Sequence, residues 1–231
     1  MNRGIVIGSV LVVAALATTF SIRACAATPS TPSTPAPMSQ WQAGVNYTVV
    51  AYPQPPKVAE GKVEVNEVFW YGCSHCFALD PVLESWKKSK PAFIEFVRVP
   101  VVWGPTHRQH ARLFYTLQKL GRGDLHAKVF DTIHVQGKHL VADTDAAARA
   151  LHLEFLKENG VTEQQFNEAY DSPEVARNVE LAERFTQNFE VASVPTMIVQ
   201  GAYSTSVSQA GGEKQLMALL NDLATREQQR R

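Results

Sequence analysis

The chain has 231 residues, enough for one sizeable domain or for a domain with a large insertion. Hydrophobic residues make up 45% of it, which is enough for a core, and its 22 basic and 22 acidic side chains give a formal net charge of zero. This balance argues against a nucleic-acid-binding protein, whose affinity depends on a basic surface, and it leaves the question of an enzyme open.

The N-terminus has the pattern of an export signal. One basic side chain within residues 1–3 precedes an apolar stretch at residues 4–20, and Ala24-Cys25-Ala26 is a small-x-small site of the type that signal peptidase cuts. Cleavage after Ala26 is the favoured interpretation. Lipidation of Cys25 and retention of the leader as an uncleaved anchor are the two alternatives that would attach the protein to a membrane. All three place the rest of the chain in an oxidising, extracytoplasmic compartment.

A linker and two strands are predicted next. The segment "ATPSTPSTPAPMSQ" is rich in Pro, Ser and Thr, cannot bury a core and is predicted to be a disordered, extended spacer. "YTVVAY" then predicts a short edge strand, which the following prolines end. "KVEVNEVFWY" is rich in Val and aromatic residues, a composition typical of a central strand.

A helix is predicted directly after Gly72. The apolar residues take helical spacing there, and one helical face carries Cys76, Leu79, Leu83 and Trp86. Pro81 is expected to kink this helix or to end its first segment. Since "AFIEFVRVPVV" predicts a further strand, the region is expected to form a strand–helix–strand unit with parallel strands and a right-handed crossover.

The rest of the chain is predicted to be mostly helical before strands return. Five segments, from "HARLFYTLQKLG" to "SPEVARNVELAERFTQNF", have apolar residues at helical spacing, and several begin with Thr, Asp or Ser-Pro or end in Gly. "VASVPTMIVQGAYS" predicts a hairpin and "GGEKQLMALLNDLATREQQ" an amphipathic helix. The predicted parts are therefore a signal peptide (1–26), a linker (27–46), a sheet domain in two pieces (47–104 and 190–231) and a helical insertion (105–189).

Cys73 and Cys76 are the cysteines that remain after the predicted signal peptide. The loop between them is too short to constrain much of the unfolded chain, so we expect their role to be chemical rather than structural. At a helix start, unpaired backbone N–H groups and the helix dipole stabilise a thiolate, which lowers the pKa of Cys73 below the ~8.5 of a free cysteine. His75 can add positive charge or a hydrogen bond, and Ser74 suits a helix start. Cys76 would resolve mixed disulfides by attacking Cys73. A zinc site is disfavoured because there is no second cysteine pair.

At this point the sequence resembles a known family. "FWYGCSHC", the strand–helix–strand unit around it, the helical insertion and a later "SVPT" resemble the thioredoxin superfamily. The inserted helices, the His at the second intervening position and the exported location resemble the DsbA-type thiol:disulfide oxidoreductases. The resemblance implies an α/β, thioredoxin-like fold with an inserted all-helical subdomain. It also implies a cis peptide bond before Pro195 and backbone groups of Val194 that pair with an extended substrate. The Ser-His dipeptide departs from the Pro-His of the best-known members.

Glu67 is an acidic residue of the predicted central strand, six positions before Cys73. One interpretation is a carboxylate at a strand edge that reaches solvent. The other, which the resemblance supports, is a buried acid below the disulfide. Such an acid has a raised pKa, can exchange a proton with Cys76 and opposes a nearby thiolate through its own charge.

Two further sets of residues have weaker signals. The aromatic residues near the cysteines are expected to form either an apolar rim for client chains or part of the core: Phe69, Trp70, Tyr71 and Phe77. The histidines of the helical region are predicted to lie on solvated helix faces or in turns rather than to bind a metal: His107, His110, His126, His134, His139 and His152.

The predicted function is that of a periplasmic thiol:disulfide oxidoreductase that donates the Cys73–Cys76 disulfide to cysteines of newly exported proteins. The resemblance implies re-oxidation by a quinone-linked membrane partner of the DsbB type and requires no bound cofactor. Two alternatives remain open: a disulfide reductase or isomerase on the same fold, and a chaperone-like binding module with a structural disulfide.

Overall fold

The computed structural model describes residue 1 and residues 40–230, so the predicted signal peptide and most of the linker lie outside the described residues. A mixed sheet of five strands runs through the described part. Its strands are β1 (Thr48–Val49), β2 (Val63–Phe69), β3 (Ile94–Pro100), β4 (Thr196–Val199) and β5 (Tyr203–Thr205), in the spatial order β1-β5-β4-β2-β3. β2 pairs in parallel with β3 and antiparallel with β4, so β2 is central and β1 lies at an edge, as predicted.

Eight α-helices accompany the sheet in the described part. They are α1 (Ser74–Ser89), α2 (Pro105–Lys119), α3 (His126–His134), α4 (Asp145–Glu158), α5 (Glu163–Tyr170), α6 (Pro173–Asn188), α7 (Val207–Ala210) and α8 (Glu213–Gln229). The five helices α2–α6 form the predicted insertion between β3 and β4, and the boundaries proposed for the domains stay a prediction. Within the described residues, no helix has the length and apolar character needed to cross a membrane.

The starts of the inserted helices follow the capping signals of the sequence. Thr144, Thr162 and Ser172 each accept a hydrogen bond from a backbone N–H of the first turn, and Thr162 forms a capping box with Gln165. Such caps each stabilise a helix by about 1 kcal/mol, because they satisfy N–H groups that the helix itself leaves unpaired.

Alternating residues of β2 serve two different cores. Val63 and Val65 face α1 and α8 and pack against leucines of both helices. Val68, on the opposite face, packs with Ile198 and with the Phe185 side chain of α6. The period of two therefore separates the layers of the sheet domain, and all seven residues of β2, polar as well as apolar, are buried.

The end of β2 enters the core of the insertion. Phe69, Tyr71 and Cys76 belong to the same buried cluster as Phe114 of α2 and Phe130 of α3. The start of α1 is therefore packed directly against the inserted helices, and the predicted redox pair lies where the two parts of the molecule meet.

Pro81 does not end its helix. α1 continues from Ser74 to Ser89 with Pro81 inside it. Leu79 and Leu83, on either side of the proline, are both buried against the sheet, and this packing holds the two segments in one helix despite the missing backbone donor. The short helix α7 was not predicted, because its four residues are too few to show a period.

Candidate active site

A tight turn places Cys73 at the start of α1. Residues 70–72 follow β2, and the Cys73 backbone N–H donates to the Trp70 carbonyl at 3.0 Å. The Trp70 indole lies so close to Gly72 that a Cβ at this position would be only 2.4 Å from a ring carbon. Glycine is therefore required by the close approach of this ring, and Cys73 becomes the N-cap of α1.

The Cys73 sulfur accepts a backbone hydrogen bond, which becomes stronger when the sulfur is ionised to a thiolate. Its Sγ lies 3.4 Å from the Cys76 backbone nitrogen and 3.5 Å from the Val194 carbonyl oxygen, to which the protonated thiol can donate. Hydrogen bonds lower the pKa of Cys73 to about 6, although partial burial opposes them. The hydrogen bond from the Cys76 side chain contributes most, and those from the backbone N–H groups of Cys76 and His75 follow. The charge of the exposed His75 contributes less than these hydrogen bonds.

Cys76 has the opposite electrostatic environment. Its side chain is buried in the core shared with the insertion. Burial, the hydrogen bond to Cys73 and the negative charge of the Cys73 thiolate all raise the pKa of the Cys76 thiol. The pair can therefore hold an anion on the accessible sulfur and a proton on the buried one.

The second predicted element lies against the first. The peptide bond between Val194 and Pro195 is cis, as the resemblance implied. The two residues line a groove of about 420 Å³ together with His75 and Val207. The Val194 carbonyl oxygen, 3.5 Å from Cys73 Sγ, connects the loop that lines this groove with the reactive sulfur.

Glu67 is buried, so the interpretation as a solvent-reaching carboxylate is wrong. Its exposed fraction is 1%, and its Oε2 pairs with Arg98 Nε at 2.9 Å across the parallel β2–β3 ladder. Burial raises the pKa of Glu67 to about 7, although Arg98 opposes this effect. The charge of Glu67 is one of the influences that raise the pKa of Cys76, whereas its expected opposition to the Cys73 thiolate stays a prediction.

Sequence reasoning missed the charged groups around Glu67. Arg98 also contacts Asp80 Oδ1 at 2.5 Å and Glu84 Oε1 at 2.9 Å, both on α1. His126 Nε2 lies 3.4 Å from the same Asp80 oxygen, an ion-pair distance rather than a good hydrogen bond. The register of β2 and β3 aligns Glu67 with Arg98, and the opposite charges of these two strand residues were the signal that could have identified the pair.

The prediction of solvated histidines in the helical region is wrong for His110, His126 and His152, which are buried. His110 Nε2 binds the carbonyl oxygen of His139 at 2.8 Å, and His152 Nε2 binds that of Leu140 at 2.9 Å. The loop at residues 139–140 thus brings backbone acceptors into the insertion core, which a helical pattern does not indicate. Within the described residues, no three potential ligands are grouped as a metal site.

The aromatic residues near the cysteines divide between the two interpretations. Phe69 and Tyr71 are fully buried core residues, whereas Trp70 and Phe77 are only partly buried. Two exposed apolar residues close to them were missed: Trp103, which is 44% exposed and stacks edge-on with His107 beside Trp70, and Val135, which is 71% exposed.

Comparisons with known proteins point to one activity. No protein-family model matches the chain. The chain is 33% identical over 207 residues to the thiol:disulfide interchange protein DsbA of Pseudomonas aeruginosa, covering 89% of this chain and 95% of that protein. It is 35% identical over 164 residues to the thiol:disulfide interchange protein DsbA of Burkholderia cepacia, covering 71% and 74%.

Solved structures agree with these relatives. The crystal structure of Pseudomonas aeruginosa DsbA matches with a TM-score of 0.73 at 33% identity, covering 81% of this chain and 94% of that structure. The oxidoreductase NmDsbA1 from N. meningitidis matches with a TM-score of 0.69 at 28% identity, covering 82% and 96%. These similarities confirm the predicted α/β, thioredoxin-like fold with an inserted helical subdomain.

Proposed function

The chain belongs to the DsbA family of thiol:disulfide oxidoreductases, and from this premise we propose that Cys73 is its nucleophile, Cys76 its resolving cysteine and newly exported proteins its substrates. The observation that carries the assignment of the two cysteines is the contrast between them. Cys73 is accessible and its pKa is lowered to about 6, whereas Cys76 is buried and its pKa is raised. Only the Cys73 sulfur is therefore suited to be attacked by a substrate thiolate and later to be released from the substrate.

The oxidation proceeds in two exchanges that conserve atoms and electrons. A substrate thiolate attacks Cys73 Sγ of the oxidised protein, the Cys73–Cys76 bond breaks, and Cys76 leaves with the electron pair and takes up a proton. A second substrate thiolate then attacks the substrate sulfur of the mixed disulfide and expels Cys73 as a thiolate. The substrate loses two electrons and the protein gains them.

The two pKa values fit the two steps. Cys73 is a good leaving group in the second exchange, because a thiol of low pKa departs readily. Cys76 is a poor leaving group in the first exchange unless it is protonated as it leaves. Glu67, whose pKa is about 7, can hold or release a proton near neutral pH, and we assign it to proton exchange with Cys76.

The stabilised thiolate also sets the direction of exchange. At pH 7, a pKa of about 6 in place of ~8.5 favours the reduced form by about 1.4 kcal/mol at most, because ionisation stabilises it only between the lowered pKa and the pH, and solvent screening at the half-exposed sulfur reduces this to about 1 kcal/mol. At about 30 mV for each 1.4 kcal/mol, the disulfide becomes more oxidising by roughly 20 mV. This supports an oxidase rather than a reductase.

Backbone groups beside Cys73 would bind the substrate. Val194 offers a carbonyl oxygen near Cys73 Sγ, and the groove continues along Pro195 and Val207. Pairing of an extended chain with such backbone groups uses few side chains, which suits a protein with many clients. The exposed side chains of Trp103 and Val135 would supply further apolar contacts with a client chain.

Family membership implies substrate proteins that carry thiols. It also supports a proposal for the re-oxidising partner and for the cellular location. We propose re-oxidation by a quinone-linked membrane protein of the DsbB type and residence in the periplasm after cleavage at Ala26. Attachment to a membrane would follow only if Cys25 were lipidated or the leader kept.

Trapping the mixed disulfide tests this assignment. In a chain with Cys25→Ser, the Cys73 thiolate of reduced Cys76→Ser should attack a disulfide-bonded peptide, expel one peptide thiolate and remain as a mixed disulfide, because no second cysteine resolves it. Cys73→Ser should form no such adduct and should lose the oxidation of a reduced two-cysteine peptide. Unchanged client folding by Cys73→Ser would support the binding-module alternative. An equilibrium constant with glutathione typical of strongly reducing proteins would support the reductase alternative.

A further inference from the structure

Helix α3 contacts Tyr71, in the turn before Cys73, at both its side-chain hydroxyl and its backbone carbonyl. Its first residue, His126, places Nδ1 at 2.8 Å from the Tyr71 hydroxyl. Its last residue, His134, places Nε2 at 2.8 Å from the Tyr71 carbonyl oxygen. Phe130, between them, packs edge-on against the Tyr71 ring at 5.1 Å. We call this pair of histidines the α3 clamp.

The clamp fixes the protonation pattern of both rings. A carbonyl oxygen can only accept, so His134 Nε2 carries the proton that binds Tyr71. On His126, a proton on Nε2 faces the Asp80 carboxylate at 3.4 Å and leaves Nδ1 to accept from the Tyr71 hydroxyl. Asp80 is itself paired with Arg98, so the His126 contact lies next to the charges that surround Glu67.

Tyr71 is the last buried residue before Cys73. It is fully buried, and Cys73 follows two positions later. His134 also stacks on Phe77 with the ring centroids 4.9 Å apart and the planes 8° from parallel. The Phe77 backbone N–H in turn donates to the Cys73 carbonyl at 3.0 Å. The ring of His134 therefore contacts the chain on both sides of Cys73 and Cys76.

The geometry that stabilises the Cys73 anion is short-ranged. The sulfur lies 3.4 Å from the Cys76 backbone nitrogen, near the limit for a sulfur hydrogen bond, so a small rotation of the turn would lose the contact. The turn has no helix or strand of its own, and the α3 clamp adds polar contacts from the insertion to those that Cys73 makes with Trp70 and Val194.

We propose that His126 and His134 are positioning residues through which the helical insertion holds the Tyr71–Cys73 turn in the geometry in which Cys73 reacts. This inference rests on the proposed role of Cys73 as nucleophile. It gives the insertion a part in the chemistry, in addition to any part in binding clients.

A purely structural role would have a different consequence. Losing a buried hydrogen bond anywhere in the insertion lowers stability, whereas only the loss of a clamp contact should change the ionisation of Cys73. His152 provides the matched control, because it is a fully buried histidine of the same insertion whose Nε2 also binds a backbone carbonyl, that of Leu140, far along the chain from the turn.

The test compares four variants in a chain with Cys25→Ser. His134→Leu removes the carbonyl contact, and His134→Gln replaces the ring N–H with an amide N–H of similar reach. Tyr71→Phe removes a single oxygen and remains informative if His134→Leu fails to fold. His152→Leu is the control. The readouts are the Cys73 pKa, from thiolate absorbance near 240 nm in the reduced protein, and the equilibrium constant with glutathione.

We expect His134→Leu and Tyr71→Phe to raise the Cys73 pKa by about 0.5–1 and to make the disulfide about three- to tenfold harder to reduce, which corresponds to the net free energy of one hydrogen bond. His134→Gln should restore most of the wild-type value, and His152→Leu should leave both readouts unchanged. An unshifted Cys73 pKa in His134→Leu and Tyr71→Phe, or an equal shift in His152→Leu, would overturn the inference while leaving the proposed function intact. A wild-type Cys73 pKa near 8.5 would overturn both.

Discussion

Replacing Glu67 with glutamine should stabilise the protein above neutral pH. A carboxyl group whose pKa is raised by folding binds its proton more tightly in the folded state than in the unfolded chain, so its contribution is fully favourable below the unfolded pKa and is lost as pH rises through the folded pKa. With a rise from 4.5 to about 7, the wild type should lose about 3 kcal/mol between pH 4 and pH 8 because of this group. Glu67→Gln cannot ionise and should not show this loss.

The surroundings of Glu67 support the choice of glutamine. Arg98 keeps two carboxylate partners, Asp80 and Glu84, when the Glu67 charge is removed, so the substitution does not leave a buried unpaired guanidinium. Glu84→Gln is the matched control, because Glu84 binds the same Arg98 but its side chain is 41% exposed and its pKa is lowered rather than raised. Glu84→Gln should give no gain in stability at pH 8.

Urea unfolding of the reduced proteins at pH 5 and pH 8 measures this effect. The difference between Glu67→Gln and the wild type removes the contribution that Cys73 makes to both chains. We expect the free energy of unfolding of the variant, relative to the wild type, to rise by about 2–3 kcal/mol from pH 5 to pH 8. A difference that does not change with pH, or that falls, would refute the reasoning that Glu67 is a buried acid with a raised pKa.

Three further predictions concern other parts of the molecule. Burial lowers the pKa of His110 to about 3 and that of His152 to about 4, so as pH falls these histidines are protonated in the unfolded chain before they are in the folded protein. The free energy of unfolding should therefore fall as pH drops below ~6.5. In acid unfolding, the double variant His110→Gln/His152→Gln should show a less steep dependence of stability on pH between ~6.5 and ~4. Gly72→Ala should lower the free energy of unfolding by about 1–3 kcal/mol in thermal or urea melts, since the added Cβ meets the Trp70 ring, and a neutral result would contradict the close approach. His75→Gln should raise the Cys73 pKa by less than about 1 in the thiolate titration, since the charge of His75 contributes less than the hydrogen bonds; a rise to ~8.5 would instead make His75 the dominant group.

The local features of the site could be predicted from the sequence because each depends on few residues. A strand that ends at Gly72, followed by two cysteines at helical spacing, predicts the strand–turn–helix arrangement without knowledge of the rest of the fold. The cis bond before Pro195 needed the family resemblance, since the residues alone favour a trans bond.

The contacts between distant elements could not be predicted in the same way. Arg98 reaches Glu67 only because the register of β2 and β3 aligns them, and Asp80 joins them from α1. The α3 clamp depends on how a helix of the insertion packs on the end of β2, and the helical period of the insertion gives no information about this. His126 and His134 were therefore predicted to be solvated residues, although both bind Tyr71.

A thiolate titration of the reduced chain with Cys25→Ser tests the central claim most directly. Absorbance near 240 nm followed from pH 4 to pH 9 should show one thiolate, that of Cys73, with a midpoint near 6, while Cys76 stays protonated throughout. A midpoint near the ~8.5 of an unperturbed cysteine, or two sulfurs that ionise together, would contradict the account.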